Sequence, residues 1–466
     1  MNVARASHIA VRPADLLLTI VATLVGLALL IARGVLRRGR PPRVEGPRLL
    51  AIDSIYSVHL LRARQAEHFV THRDLDGYFE HVWSVHPLVG AHPGTPADAL
   101  GGPPSITVLS ATHTMIEGKT QRFSGLSRLP YFNFAIAQVQ LVLMLDRIVH
   151  REGIGVVRGD PYYNGLIALL LGALHRRPVD VRVFGNQDLI YETVGALAYP
   201  RLFRLRSVEQ RVARFTLSHA DAVVVASADN RQFAVQNGAR DDCLTFIANS
   251  NMVSPMHLAE PIMRERLPDE FGLGDRPVVM SVCRLEPLKR PDDIVRSVAA
   301  AQRHHSGIAA VIVGEGSMRG ELTALCDELG VEDSVVLAGE RDQRWIASMM
   351  TRADVIAVPL AGLALVEAAL SGTPIVAYDV EWHSELIRPG REGLLVPYRD
   401  TDAMAAAIWE LVADRERAAG LAAAARVRAL EVMQPDKILA DERALAAKLL
   451  AIAATPRGRG GQGAKS

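Results

Sequence analysis

The sequence is poor in cysteine. Its 466 residues hold three, Cys243, Cys283 and Cys326, with no close pair. A disulfide scaffold and a zinc ribbon are not expected, and a reducing compartment fits. Aromatic residues are scarce, at 5%, which suits an Ala/Val/Leu-rich α/β protein better than an all-β one. An excess of one charge is also missing: Lys plus Arg number 52 and Asp plus Glu 51, for a net charge of +1. A dedicated nucleic-acid binder carries a strong basic excess, so nucleic acid is not expected among the partners. No fixed-period repeat is present. What the chain does have is apolar: 49% hydrophobic against 22% charged residues, too much for a wholly disordered chain. At roughly 150 residues per domain, the length suggests two or three domains.

One long hydrophobic run stands near the N-terminus. Leu16–Ala32 reads LLLTIVATLVGLALLIA without a charge. As a helix it spans about 25 Å, just short of a hydrocarbon core of roughly 30 Å. Arg33, Arg37, Arg38, Arg40 and Arg43 follow, then Pro41 and Pro42 interrupt, while only Arg5 and Arg12 precede the run. A cleaved signal peptide carries its charge before the apolar run, and a buried core helix does not normally stand apart behind an Arg/Pro linker. The expectation is a single-pass transmembrane anchor over residues 14–36 in the cell membrane. The Arg-rich side, and with it the catalytic body, lies in the cytoplasm.

The body alternates short apolar runs with amphipathic stretches. Expected strands in the first half are Leu49–Asp53, Ile106–Ser110, Gly155–Arg158, Val179–Phe184, Ala222–Ser227 and Leu244–Ala248. Those in the second half are Val278–Arg284, Ala309–Val313, Val335–Leu337, Val355–Val358, Ile375–Ala377 and Leu394–Val396. Helices are expected between them, including Ser57–Phe69, Pro130–His150, Pro161–His175 and Pro200–His219. Continuous β-branched runs mark strands buried on both faces, as in a parallel sheet. The fold class is therefore α/β, with two doubly wound Rossmann-like domains facing a cleft. The expected boundaries are 47–262 for the first domain and 271–453 for the second, joined by the polar segment Glu260–Gly272. A Gly/Arg-rich tail over 454–466 reads as disordered.

In doubly wound sheets ligands sit beyond the carboxyl ends of the strands, where helix N-termini offer N–H groups to anions. Arg284 and Lys289 follow the strand at Val278. Two cations there suit a diphosphate, in the ground state and as a leaving group. The competing reading is a solvated surface pair. Gly314-Glu315-Gly316 follows Val311–Val313, where glycine lets backbone approach a phosphate or base, though a tight turn explains it equally. After Val355–Val358 come Pro359, Gly362 and then Glu367 at a helix start, with Ser371-Gly372-Thr373-Pro374 before the next strand. Such a carboxylate suits two ribose hydroxyls, or simply compensates the helix dipole.

As a set these residues resemble the retaining family 4 glycosyltransferases of the GT-B fold, through most of 277–400. Arg284 and Lys289 resemble that family's diphosphate pair. Gly314-Glu315-Gly316 and Leu337-Ala338-Gly339 resemble its loops around the nucleotide. Glu367-Ala368 with Ser371-Gly372-Thr373-Pro374 resembles its Glu-Ala, Gly-Thr-Pro segment, and Glu385, Gly393, Val396 and Asp400 follow in order. The resemblance implies a hexosyltransferase-like enzyme with a nucleotide-sugar donor, UDP- or GDP-linked. It implies no further cofactor, no metal, and transfer with retention.

Two departures stand out. The family's first acidic position is Pro359, and its usual active-site His is Phe184. Backbone N–H groups of Gly362-Leu363-Ala364 are the expected substitutes at the sugar. On the first domain, Arg158, Asp160, Asn186 and Asp188 sit just past strands and are the expected acceptor-side residues, each equally explained as a loop-stabilising hydrogen bonder. Ala222–Ser227 with Asn249 resembles the end of the family's acceptor domain, and Tyr378–His383 is expected near the cleft. Asp74-Leu75-Asp76 imitates a metal motif but lies in a polar helical stretch, and His68 and His72 lack a completing ligand. The Arg-rich helix around Arg201, Arg204, Arg206, Arg211 and Arg214 reads as an ordinary basic amphipathic helix, with a resting place on anionic lipid as the lesser alternative. The expected function is transfer of a sugar to a membrane-proximal or lipid-linked glycan acceptor. A non-catalytic GT-B subunit that binds a nucleotide sugar is the main alternative, and a GT-B epimerase the lesser one.

Overall fold

The computed structural model describes residues 12–37, 46–53, 56–91, 100–195, 202–203, 205–248, 253–259, 269–360 and 362–454. Arg38, Arg40 and Arg43, Asn249, Arg201, Arg204, most of the 260–272 segment and the tail from 455 lie outside the described residues.

Two sheets form. The first contains β1 (Arg48–Ile52), β2 (His81–His86), β3 (Ser105–Ser110), β4 (His113–Glu117), β5 (Val156–Gly159), β6 (Val179–Val183), β7 (Ala222–Val225) and β8 (Leu244–Phe246). The second contains β9 (Val278–Val282), β10 (Ala309–Val313), β11 (Val335–Gly339), β12 (Val355–Val358), β13 (Ile375–Tyr378) and β14 (Leu394–Val396). Their strand orders are β3-β4-β2-β1-β5-β6-β7-β8 and β11-β10-β9-β12-β13-β14. Every pairing is parallel except β3 with β4. Leu49, Leu50, Ala51 and Ile52 are all fully buried, as a strand covered on both faces requires.

Two strands, β2 and β4, escape a reading by apolar runs. In β2, His81, Ser84 and His86 interrupt the pattern, yet Ser84 and His86 are buried. Each has a partner: His81 Nε2 meets Thr114 Oγ1 at 2.9 Å, and Arg73 Nη1 donates to Ser84 Oγ at 2.9 Å. His86 Nδ1 lies 2.6 Å from the Tyr56 carbonyl. β2 then supplies the parallel neighbour of both β1 and β4. The helix expected over Ser57–Phe69 is two short ones, Val58–Ala63 and His68–Thr71. Ser57 Oγ caps the first, and Gln65 at φ 50° breaks it.

The 24-residue helix Pro13–Leu36 lies lengthwise on helix Pro130–Arg151, with Leu30 in the first lobe's core. The C-terminus crosses the other way. Helix Arg415–Met433 packs on the second lobe, then Pro435 opens helix Pro435–Ala454. Its Ile438, Leu445, Ala446 and Leu449 pack with Leu49, Ala51, Val82, Val156 and Ala222 of the first sheet. Residues 435–453, grouped with the second domain on sequence, thus pack on the first. The crossover is fastened by Glu442, whose Oε2 accepts from Arg182 Nη2 at 2.6 Å and stands 3.7 Å from Arg158 Nη2. Burial raises the Glu442 pKa, but the Arg182 and Arg158 charges outweigh it and hold the group at about 2.

A depressed carboxyl adds stability above its unfolded pKa and loses it as the pH falls through the folded one. Glu442→Gln is expected to cost on the order of 3 kcal/mol at pH 7, because it leaves buried Arg182 without its main partner. It should also flatten the loss of stability between about pH 4.5 and 2. Urea unfolding across that range checks both, and an unchanged midpoint at pH 7 would refute the clamp.

Candidate active site

A cavity of about 510 Å³ lies where the carboxyl ends of the two sheets face each other. On the second lobe, β9 runs out at Val282 and the chain turns through Pro287–Lys289 into helix Pro291–Ala301. Arg290 takes φ 53° to make the turn. Arg284 and Lys289 both line the cavity, with Gly362, Leu363, Ala364 and Glu367 from the segment after β12. A Cβ on Gly362 would stand 4.0 Å from Lys289 Nζ, an ordinary contact, so the start of helix Leu363–Ser371 lies beside that ammonium. Burial pushes the Lys289 pKa down and the Glu381 carboxylate opposes it, while Arg284 pushes down again. Cys283 beside them is lifted to about 11 by burial and is no nucleophile at neutral pH.

Glu367 is not at the helix start. It is the fifth residue, one turn in, so dipole compensation is not its role. It is 5% exposed, and burial raises its pKa to about 7. The nearby His257, with Nε2 3.8 Å from Glu367 Oε1, is itself pushed down by burial.

The glycines after β10 and β11 are placed differently. A Cβ on Gly314 would lie 1.9 Å from the Cys283 carbonyl oxygen, and one on Gly316 2.2 Å from that of Leu285. Cys283 N donates to Val313 O, and Leu285 N to Glu315 O, both at 3.0 Å. Gly314 N reaches Gly339 O at 2.9 Å, and Gly339 sits at φ 72°. These glycines let the loops after β9, β10 and β11 stack, and none of Gly314, Gly316 and Gly339 lines the cavity.

The first lobe forms the opposite wall. Arg158, near the end of β5, and Asp160, just after it, line it as expected. Arg158 Nε donates to Asp180 at 2.7 Å. Asp160 accepts from Tyr162 N at 2.8 Å and Asn164 Nδ2 at 2.6 Å, and burial raises it to about 6. Asn186 and Asp188 do not reach this wall. Asn186 caps helix Gln187–Val194 and donates to Asp229 at 2.8 Å. Asp188 accepts from Gln210 at 3.0 Å, Asn237 at 2.7 Å and Arg206. Tyr378 is also turned away, fully buried with its hydroxyl donating to Asp293 at 3.0 Å. Trp382 lines a second cavity of about 730 Å³, which shares Tyr56, Phe184, Arg284, Gly362 and Leu363 with the first.

Four residues of this wall were not singled out by sequence. Asp53, Arg73, His86 and Arg182 line it. Arg73 Nη2 donates to Asp53 at 2.8 Å. Burial raises Asp53, but Arg73, His86 and Arg158 bring it below the usual range. His86 is fully buried and held near 4 by burial and Arg73, hence neutral; its Nε2 has no hydrogen-bond partner among the described residues. Asp53 stood at the end of an expected strand, which was a usable signal; Arg73 and His86 carried none.

The lobes also touch beside the cavity. Arg64 of the first pairs with Glu340 of the second, and Gln343 N donates to Arg64 O at 3.3 Å. Glu385 accepts from Ala228 N at 3.0 Å and Asp229 N at 3.3 Å. The two decoys have structural explanations. Asp74 closes a 3-10 turn and accepts from Thr112, with Leu75 and Asp76 left-handed after it. His72 Nδ1 lies 2.6 Å from the His68 carbonyl.

Residues 263–428 match the Glycosyl transferases group 1 family. A GDP-mannose-dependent alpha-(1-6)-phosphatidylinositol monomannoside mannosyltransferase of Mycolicibacterium smegmatis is 32% identical over 186 residues, 38% of this chain and 49% of that protein. A D-inositol 3-phosphate glycosyltransferase of Nocardia farcinica is 33% identical over 214 residues, 43% of this chain and 47% of that protein. The chain thus spans about half the length of these curated relatives. Among solved structures, HepE of Anabaena in complex with UDP and glucose superposes with a TM-score of 0.62 at 19% identity, over 87% of this chain and 99% of that one. Sucrose-phosphate synthase of Thermosynechococcus elongatus gives 0.66 at 19%, with the same coverage. The second lobe carries a Glycosyl transferases group 1 domain, and the whole has the GT-B-like arrangement of two Rossmann-like sheets.

The buried Glu367 generates a pH test. Its folded-state pKa is raised, so between about pH 4.5 and 7 the folded chain binds the extra proton and stability falls as pH rises. Ligand-free Glu367→Gln should gain Tm over wild type across that window and keep a constant advantage above it. Parallel Tm curves from pH 5 to 8 would refute the shift.

Proposed function

We propose that this chain is a retaining, metal-independent glycosyltransferase acting on a nucleotide-sugar donor. The observation that carries the reading is the meeting of Arg284, Lys289, the first N–H groups of helix Leu363–Ser371 and Glu367 on one wall, opposite Arg158, Asp160 and His86. Two cations and a helix N-terminus are the chemistry of a diphosphate site. Glu367 accepts the ribose hydroxyls. Domain closure expels water and brings the acceptor hydroxyl to the sugar.

In the reaction the anomeric C–O bond to the diphosphate breaks, and Arg284 and Lys289 stabilise the charge that collects on the leaving group. The departing phosphate oxygen takes the acceptor proton, and the new C–O bond forms on the same face. No protein nucleophile enters this scheme. The two cations do the work that a divalent ion does in other transferases. The sugar is held by backbone at Gly362-Leu363-Ala364, since Pro359 offers no carboxylate. His86, neutral and with an Nε2 unpartnered among the described residues, accepts from a second hydroxyl of the acceptor rather than the one that reacts.

The base is guanine or uracil; the mannosyltransferase relative is named as GDP-mannose-dependent, and HepE was solved with UDP. A lipid-linked or membrane-proximal glycan acceptor at the cytoplasmic face of the cell membrane fits the apolar helix Pro13–Leu36 and the phosphatidylinositol monomannoside in that relative's name. A second reading, a non-catalytic subunit that binds a nucleotide sugar, is favoured by Pro359 and Phe184.

A thermal-shift panel of UDP-, GDP- and ADP-sugars identifies the donor. With that donor, Arg284→Ala and Lys289→Ala are each expected to lower kcat on the order of 10²-fold or more. Unchanged turnover in either would overturn the mechanism, and binding without turnover in wild type would favour the second reading. His86→Asn should raise the acceptor KM while leaving donor affinity unchanged; equal loss of both would remove His86 from the acceptor side.

A further inference from the structure

The N-terminal helix Pro13–Leu36 is clamped to the first lobe at both ends. Asp15 is buried, and its carboxylate accepts from Phe132 N at 2.8 Å and Tyr131 N at 3.2 Å. It thereby caps helix Pro130–Arg151, whose own N-cap, Leu129, provides no side-chain bond. At the far end Arg37 donates to both oxygens of buried Asp146, at 2.8 and 3.2 Å. Arg33 Nη1 reaches the Leu143 carbonyl at 3.1 Å and Asp146 at 3.3 Å. His175 Nε2 completes the cluster at 2.9 Å from Asp146. Between the clamps a Cβ on Gly26 would fall 2.7 Å from the Val139 side chain, so the helices touch at the glycine. They run side by side in the same direction.

This docking conflicts with a bilayer crossing. Helix Pro130–Arg151 is rooted in the lobe through Leu141, Leu145 and Val149, which share one core cluster with β1, β2, β5 and β6. A span parallel to it would pull the lobe's flank into hydrocarbon, where open sheet and loop backbone is not tolerated. A span that left it would strip Asp146 of its two arginines and the second helix of its cap.

The outward face of the docked helix nevertheless calls for a partner. Leu17, Leu24 and Ile31, at seven-residue steps, are 63%, 59% and 51% exposed. Ile20, Val21 and Leu27 are exposed with them, and no charge falls between Leu16 and Ala32. Helix Arg206–His219 belongs to the same core layer through Ala213 and Leu217. It turns Val208 and Phe215 outward, with Arg211 and Arg214 exposed beside them. Helix Tyr163–His175 touches both helices, and an apolar strip with a basic, aromatic helix in the same layer matches an anionic bilayer, acyl chains under the strip and headgroups at the arginines.

We propose that helix Pro13–Leu36 lies in the plane of the membrane as the lipid-facing outer layer of the first lobe, and does not cross it. Asp15 and Asp146 hold the lobe at a fixed height and tilt on the bilayer. The inference stands on the docking and is independent of the reaction assigned above.

The test uses the full chain with its three cysteines replaced, spin-labelled at Leu17→Cys, Leu24→Cys or Ile31→Cys, and mixed with phosphatidylcholine/phosphatidylglycerol vesicles. Oxygen and nickel-chelate accessibilities should place the three labels at one shallow depth. A profile deepest at position 24 means a span and overturns the proposal. Labels that stay in water, or a dimer without vesicle binding, overturn it as well. Asp15→Ala combined with Asp146→Ala should convert the level profile to one deepest at 24; a profile that stays level would show that the clamps do not set the orientation. Arg211→Ala and Arg214→Ala should each weaken binding to anionic vesicles roughly 5-fold, and unchanged partitioning would remove the basic helix from the contact. The oxygen-accessibility readout needs no donor or turnover, so its failure is distinct from failure of the transferase reading.

Discussion

The arrangement depends on how buried arginines at the strand ends of the first sheet are neutralised. Arg158 and Arg182 are 7% and 8% exposed, and two like charges that close to a dry sheet edge are not tolerated alone. Asp180 on β6 answers part of this, with Arg158 at 2.7 Å and Arg182 at 3.2 Å. The other carboxylate comes from Glu442, near the far end of the chain. A helix that starts beyond the second lobe must therefore return to the first, and its apolar face closes over β1, β5 and β7 as it does so. The ion cluster and the crossover are one feature: the chain passes between lobes twice, and the strand ends of both sheets face one cleft.

That geometry divides the work between the walls. In the first lobe the cations are saturated: Arg73 by Asp53, Arg158 by Asp180, Arg182 by Glu442. They shape the cleft and hold neighbouring groups in fixed protonation states, as His72 near 3 and His86 near 4 illustrate, each driven down by burial and Arg73. In the second lobe Arg284 and Lys289 adjoin a helix N-terminus.

Much of the second lobe was legible in the sequence because its strands are unbroken β-branched runs and its chemistry follows them within a few residues. Arg284, Lys289, Gly362 and Glu367 could be placed together on that basis. Gly314 and Gly316 show the limit. Glycine is required there, but by the carbonyls of Cys283 and Leu285, and sequence does not distinguish a backbone neighbour from a phosphate. The first lobe was less legible because its polar residues are satisfied over long distances. β2 looks broken at Ser84 and His86 until Arg73 and the Tyr56 carbonyl are brought to them. Asn186 and Asp188 follow a strand, as cleft residues do, yet are used up as a cap and a three-way acceptor. Hydropathy found the helix Pro13–Leu36 but not its position, which depends on a carboxylate 116 residues from the amide it caps.

Glu381 joins these strands of argument. It follows β13 with φ 52°, a backbone state that a residue with a side chain adopts only at a cost. The strain puts a carboxylate beside Lys289, in surroundings dry enough to raise its pKa to about 7 despite that ammonium. Near neutrality the group is thus balanced between charged and neutral forms. Ionised, it lessens the positive potential at Lys289; protonated, it does not, so the charge of this wall of the cleft depends on how dry Glu381 is kept.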